Sequence, residues 1–166
     1  MSDPLHAVAI ALGVDADGPL AGVLILGPSG SGKSSLALAA IESCPWRRTS
    51  LVADDAVLID AAGVARAPEK IAGLIEVRGF GPAPVRSVAA APLFVAVDLG
   101  GVSSRLPDLG EFQPQGAHTI LPLCPFQWNG AEATAVARLR LLIRAILSGQ
   151  SGRHIVEGPG SGRVTQ

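Results

Sequence analysis

Apolar residues come in short bursts along this chain, each closed off by glycine, proline or aspartate. Residues His6 to Leu12 (HAVAIAL) predict a strand, and Gly13 to Pro19 (GVDADGP) a turn. Leu20 to Leu26 (LAGVLIL) is a continuous apolar run of strand length, suited to the buried centre of a parallel sheet. Lys33 to Ser43 (KSSLALAAIES) predicts a helix with Leu36, Ala40 and Ser43 along one face, stopped by Pro45. Ser50 to Ala53 (SLVA) is a second short strand ending in Asp54 and Asp55, and Ala56 to Asp60 continues extended to a turn at Ala62-Gly63. Pro68 to Gly81 reads as mixed loop and short helix, and Arg105 to Gly116 as loop. Leu93 to Asp98 (LFVAVD) and Thr119 to Leu123 (TILPL) predict further strands. Ala131 to Leu147 is the clearest helix, with an apolar stripe of Val136, Leu139, Ile143 and Ile146. Its arginines, Arg138, Arg140 and Arg144, are expected on a solvated face, and Arg86 is expected to be a surface charge.

Strands alternating with helices imply an α/β fold. The shortage of helix between Pro68 and Gln115 makes the sheet mixed: a P-loop-containing mixed β-sheet flanked by helices. Residues 1–147 are expected to form one domain, and 148–166, Gly/Ser-rich and without apolar period, a disordered tail.

Composition narrows the function classes. A net charge of -1 with 16% charged residues leaves no electrostatic footprint for nucleic acid. No run approaches the roughly 18 apolar residues of a membrane span. The N-terminus lacks the basic segment of a signal peptide. The expectation is a cytoplasmic protein with neither nucleic acid nor membrane as partner. Cys44 and Cys124 show no metal-ligand spacing and read as reduced thiols.

The candidate chemistry begins between the second strand and the first helix. Gly27-Pro28-Ser29-Gly30-Ser31-Gly32-Lys33-Ser34 meets the pattern G-x-x-x-x-G-K-[ST]. Glycines let successive backbone N–H groups turn inward on phosphate oxygens, and the following helix adds its positive end. The lysine suits the β- and γ-phosphates of ATP, and the Ser34 hydroxyl suits Mg²⁺. Asp54 and Asp55 are expected to end a strand beside the P-loop strand, one facing metal, the other serving as general base toward a hydroxyl acceptor. Glu76 and Arg78, between glycines in GLIEVRGFG, suit a metal or phosphate contact.

Together, HAVAIAL, GPSGSGKS, LVADDAV and LIEVRGFG resemble the catalytic domain of bacterial HPr kinase/phosphorylase, from His6 to about Leu123. The likeness is to the short alphaproteobacterial form, without the long form's N-terminal domain. It implies the HPr kinase / PEP carboxykinase-like fold and ATP-dependent phosphorylation of a serine on HPr, a small carrier of the sugar phosphotransferase system. In many members it also implies phosphorolytic reversal. It further implies His6 as an active-site histidine, Lys33 stabilising the transferred phosphate, and Ser34 and Glu76 holding Mg²⁺. Asp55 becomes the proton acceptor, and Arg105, in SSRLPDLG, a phosphate-binding catalytic arginine. By the same resemblance the protein is a cytoplasmic homo-oligomer.

Three positions depart from the family pattern: Ser35 replaces an acidic residue, Pro82-Ala-Pro84 follows RGFG, and Cys124 to Gly130 (CPFQWNG) replaces a basic Gly-Arg-Asn stretch tied to reversal. Two other readings fit the same P-loop: a small-metabolite kinase, and a nucleotide-sensing module with weak catalysis.

Overall fold

The computed structural model describes residues 3–100 and 109–149. Ten strands and two α-helices occur among them: β1 (Val8–Leu12), β2 (Ala21–Leu26), α1 (Lys33–Glu42), β3 (Ser50–Ala53), β4 (Leu58–Ile59), β5 (Val64–Arg66), β6 (Leu74–Val77), β7 (Gly81–Pro84), β8 (Ala90–Asp98), β9 (Gly110–Phe112), β10 (Leu121–Pro125) and α2 (Glu132–Leu147). The main sheet runs β3-β1-β2-β8-β10-β9, with β5 and β4 joined to it through the first half of β8. It is mixed: β2, β8 and β10 are parallel, whereas β1 is antiparallel to β2 and to β3.

This order corrects one expectation. The acidic pair does not end a strand beside the P-loop strand, because β1 lies between β3 and β2. The eight-residue connection Gly13–Leu20 folds β1 directly against β2, and β3 pairs with the other edge of β1.

Both faces of the central strands are buried, yet they are unlike. Along β1, Val8, Ile10 and Leu12 point into one core and Ala9 and Ala11 into another, as strand alternation dictates. The bulky face is covered by both helices, through Leu36, Ala37, Ala40 and Ile41 of α1 and Ala135, Leu139 and Ile143 of α2. The alanine-rich face holds Val57, Ile59 and Ala65 from the β4–β5 region and no residue of either helix. Small side chains let this closer cover approach. The two described helices therefore share one side of the sheet.

The arginines of α2 are not free on a solvated face: Arg144 is exposed and Arg138 and Arg140 are half-buried, yet all three are bonded to carbonyls. Arg140 donates through Nε to the Gly13 carbonyl (3.3 Å), and Arg144 to the Val14 carbonyl (3.0 Å) and Asp15 (3.1 Å), tying the helix to the β1–β2 turn. Arg138 donates to the carbonyls of Gln127 and Ala131 at its own N-terminal approach. Arg86 is likewise no surface charge: its guanidinium reaches the carbonyls of Thr49 (2.9 Å) and Ile41 (3.4 Å). A long cationic side chain with five donors is well suited to gather carbonyls that end helices and strands. No described helix is long and apolar enough to cross a membrane.

Candidate active site

The loop from Gly27 to Gly32 leaves the carboxyl end of β2 and enters α1. Gly30 and Gly32 lie at φ 82° and 101°, in the left-handed region that lets consecutive N–H groups turn to one side. Helix α1 has no side-chain cap and no acidic residue in its first turn, so its leading N–H groups face an incoming anion. Lys33 is buried, with Nζ donating to the carbonyls of Gly27 (2.8 Å) and Pro28 (3.1 Å). Ser31 Oγ is buried without a hydrogen-bond partner among the described residues. An uncommitted buried hydroxyl, a buried ammonium and free helix amides fit a polyphosphate.

The two aspartates after β3 divide their work. Asp54 is buried, accepting from Ser34 Oγ (2.6 Å) and from the Glu76 backbone N–H (2.8 Å). Asp55 is exposed. Its φ of 72° with an Ala56 N–H bond back to the Asp54 carbonyl (2.8 Å) marks a γ-turn of the rare positive-φ kind. That turn reverses the chain and throws the Asp55 carboxylate outward, where it meets His6 Nδ1 at 3.1 Å. His6 does not begin the strand; it stands in a bend between Leu5, bridged to Val57, and Val8, and its Nε2 lies 3.4 Å from Ser29 Oγ.

One cleft gathers these groups: His6, Ser29, Gly30, Gly32, Lys33, Ser34, Asp55 and Arg78 line it, together with Val8 and Ser35. Glu76 comes near through its backbone, its side chain being exposed. Ser34 Oγ and Asp54 form a two-donor site of the sort Mg²⁺ uses when phosphate oxygens and water complete its shell. No group of three His, Cys, Asp or Glu side chains with metal-binding spacing occurs among the described residues. Arg105 lies outside the described residues.

Residues 10–90 match the family model described as the HPr serine kinase C-terminal domain. That stretch is similar to this family. It contains the loop, the aspartate pair and Glu76, while His6 and Arg105 fall outside it. The fold is also that of the solved structure of the Hpr(Ser) kinase/phosphatase from Coxiella burnetii, at a TM-score of 0.70 and 19% identity, over 89% of this chain and 92% of that one. No curated protein matches the chain. Two residues near the loop escaped the sequence reading. Asp98 ends β8 in register with Leu26 of β2, its carboxylate accepting the Gly100 N–H (2.8 Å). Its signal was an acid closing an apolar strand. Trp128 lies against Gly32, and its only signal was an aromatic in the loop after β10.

Proposed function

We propose that this chain is an ATP- and Mg²⁺-dependent protein-serine kinase acting on an HPr-like phosphocarrier, in the cytoplasm and as a homo-oligomer. The observation that carries the reading is Asp55: an exposed carboxylate, paired with His6, at the mouth of a phosphate-binding cleft. When bound, Mg²⁺·ATP supplies the transferable phosphoryl group. Ser34 and Asp54 would hold the metal, with Glu76 turned toward it on a modest rearrangement of its exposed side chain. Lys33 and the first turn of α1 neutralise charge on the phosphate oxygens. Asp55 would accept the proton of the serine hydroxyl as its oxygen bonds to the γ-phosphorus and the bond to the β,γ-bridging oxygen breaks, releasing ADP, and His6 would orient that carboxylate through Nδ1. Arg105 is assigned to the transferred phosphate.

Purified protein incubated with radiolabelled ATP and HPr should give phosphoserine, and Asp55→Ala should lower the rate by about 10²-fold or more. Absence of transfer to any HPr-like carrier would sink the reading. Phosphorolytic reversal is expected to be weak beside forward transfer, because residues 124–130 (CPFQWNG) stand in place of the family's basic Gly-Arg-Asn stretch. Excess inorganic phosphate added to the phosphorylated carrier measures it.

A further inference from the structure

The acceptor side and the nucleoside side of a P-loop must be different places, and this sheet separates them. His6 precedes β1 and Asp55 follows β3, so both stand on the β1–β3 flank of β2. The opposite flank is β8 and then β10. From the carboxyl end of β10 the chain crosses back toward the phosphate loop and sets Trp128 against it. A methyl group on Gly32 would overlap Cδ1 and Nε1 of the indole. Gly32 thus serves two purposes: its φ of 101° and its bare Cα, which lets the ring edge reach the start of α1.

The segment bearing Trp128 is held in place from several sides. Phe126 N–H donates to the Asp98 carbonyl (2.9 Å), and Ala131 N–H to the Trp128 carbonyl (3.0 Å). Arg138 bridges the carbonyls of Gln127 (2.8 Å) and Ala131 (2.9 Å), with its guanidinium 4.9 Å from the centre of the Phe126 ring. Trp128 is half-buried: one part packs on the main core, and the remainder is open to solvent.

We propose that Trp128 is the nucleoside-binding wall of this site, an aromatic surface on which the base of the bound nucleotide stacks. The inference rests on the kinase reading only for its P-loop. With the γ-phosphate at Asp55, the α-phosphate and ribose leave the loop on the β8–β10 flank, where the indole stands ready. Stacking on a π-face does not discriminate among bases, so adenine and guanine nucleotides gain alike.

The test is calorimetric titration of the full chain with Mg²⁺-loaded ATP, GTP and inorganic tripolyphosphate, in wild type, Trp128→Ala, Trp128→Leu and Trp128→Phe. Trp128→Ala and Trp128→Leu should each weaken ATP and GTP by about 5- to 100-fold, with tripolyphosphate within twofold of wild type and Trp128→Phe retaining most nucleotide affinity. The ratio of ATP to tripolyphosphate affinity is taken within each variant, so a general loss of stability cancels. A parallel loss of tripolyphosphate would show that the ring only props the loop and would overturn the proposal, as would unchanged ATP binding in Trp128→Ala. Wild type binding neither ligand would overturn the P-loop reading itself.

Discussion

At the scale of single residues, the neighbouring aspartates have opposite characters. Asp54 satisfies two donors from beneath the cleft, so Asp54→Ala strands the Ser34 hydroxyl and the Glu76 N–H and should cost about 1–3 kcal/mol of stability. Asp55 stabilises little: its partner is an exposed histidine, and its own backbone is strained at φ 72°. Asp55→Gly relieves that strain and should leave the urea midpoint unchanged or raised while removing transfer. A fall in midpoint comparable to that of Asp54→Ala would refute this division. The pair was legible in the sequence as a pair. Which member faced outward was not, because the γ-turn depends on where β3 ends and on Asp54 being claimed by two groups distant in sequence.

Cys44 makes a second prediction at this scale. Burial raises its thiol pKa, but the Thr49 hydroxyl and the neighbouring backbone N–H groups, with Arg48 N–H donating to Sγ at 3.4 Å, outweigh it. They lower the pKa from 9.0 to about 6. The folded state therefore favours the thiolate. Its contribution is full above about pH 9 and is lost as pH falls through about 6, so stability rises with pH between those values. Denaturant midpoints across that range should flatten in Cys44→Ala relative to wild type. Cys124, pushed up to about 11 by burial alone, stays a neutral thiol throughout.

Elements were easier to read than their neighbours. The apolar runs placed β2, β3 and β8 and the periodicity placed both helices, because strand and helix alternation is local information. Partnership is not local. Nothing in SLVA or HAVAIAL states that one strand separates the other from the P-loop strand. The same holds for α2, whose arginines have the spacing of a solvated face but find carbonyls of the β1–β2 turn. Two substitutions separate these contributions. Leu139→Ala empties a fully buried position between helix and sheet and should cost about 2–5 kcal/mol. Arg140→Ala, losing the Gly13 carbonyl and the Trp46 ring 5.4 Å away, should cost about 1–2 kcal/mol. Thermal or urea unfolding measures both, and a neutral Arg140→Ala would restore the solvated-face reading.

Across the whole molecule, the cleft draws on segments of very different sequence distance. His6, the loop from Gly27 to Ser34 and Asp55 flank the ends of β1, β2, α1 and β3, which short connections join. Trp128 arrives only once β2 has paired with β8, joining residue 22 to residue 93, and β8 has paired with β10. The antiparallel placement of β1 is what makes the first group compact: a hairpin can close on its own, whereas parallel pairing waits on a long loop. Folding time, as well as space, then divides the cleft from the indole beside it. In pulsed hydrogen exchange during refolding, amides of β1 and β2 facing each other should gain protection before those of β10. The reverse order would contradict this. A nascent chain that has just released β3 would thus already hold the aspartate and lysine end of its cleft, with the wall that grips the nucleoside still unmade.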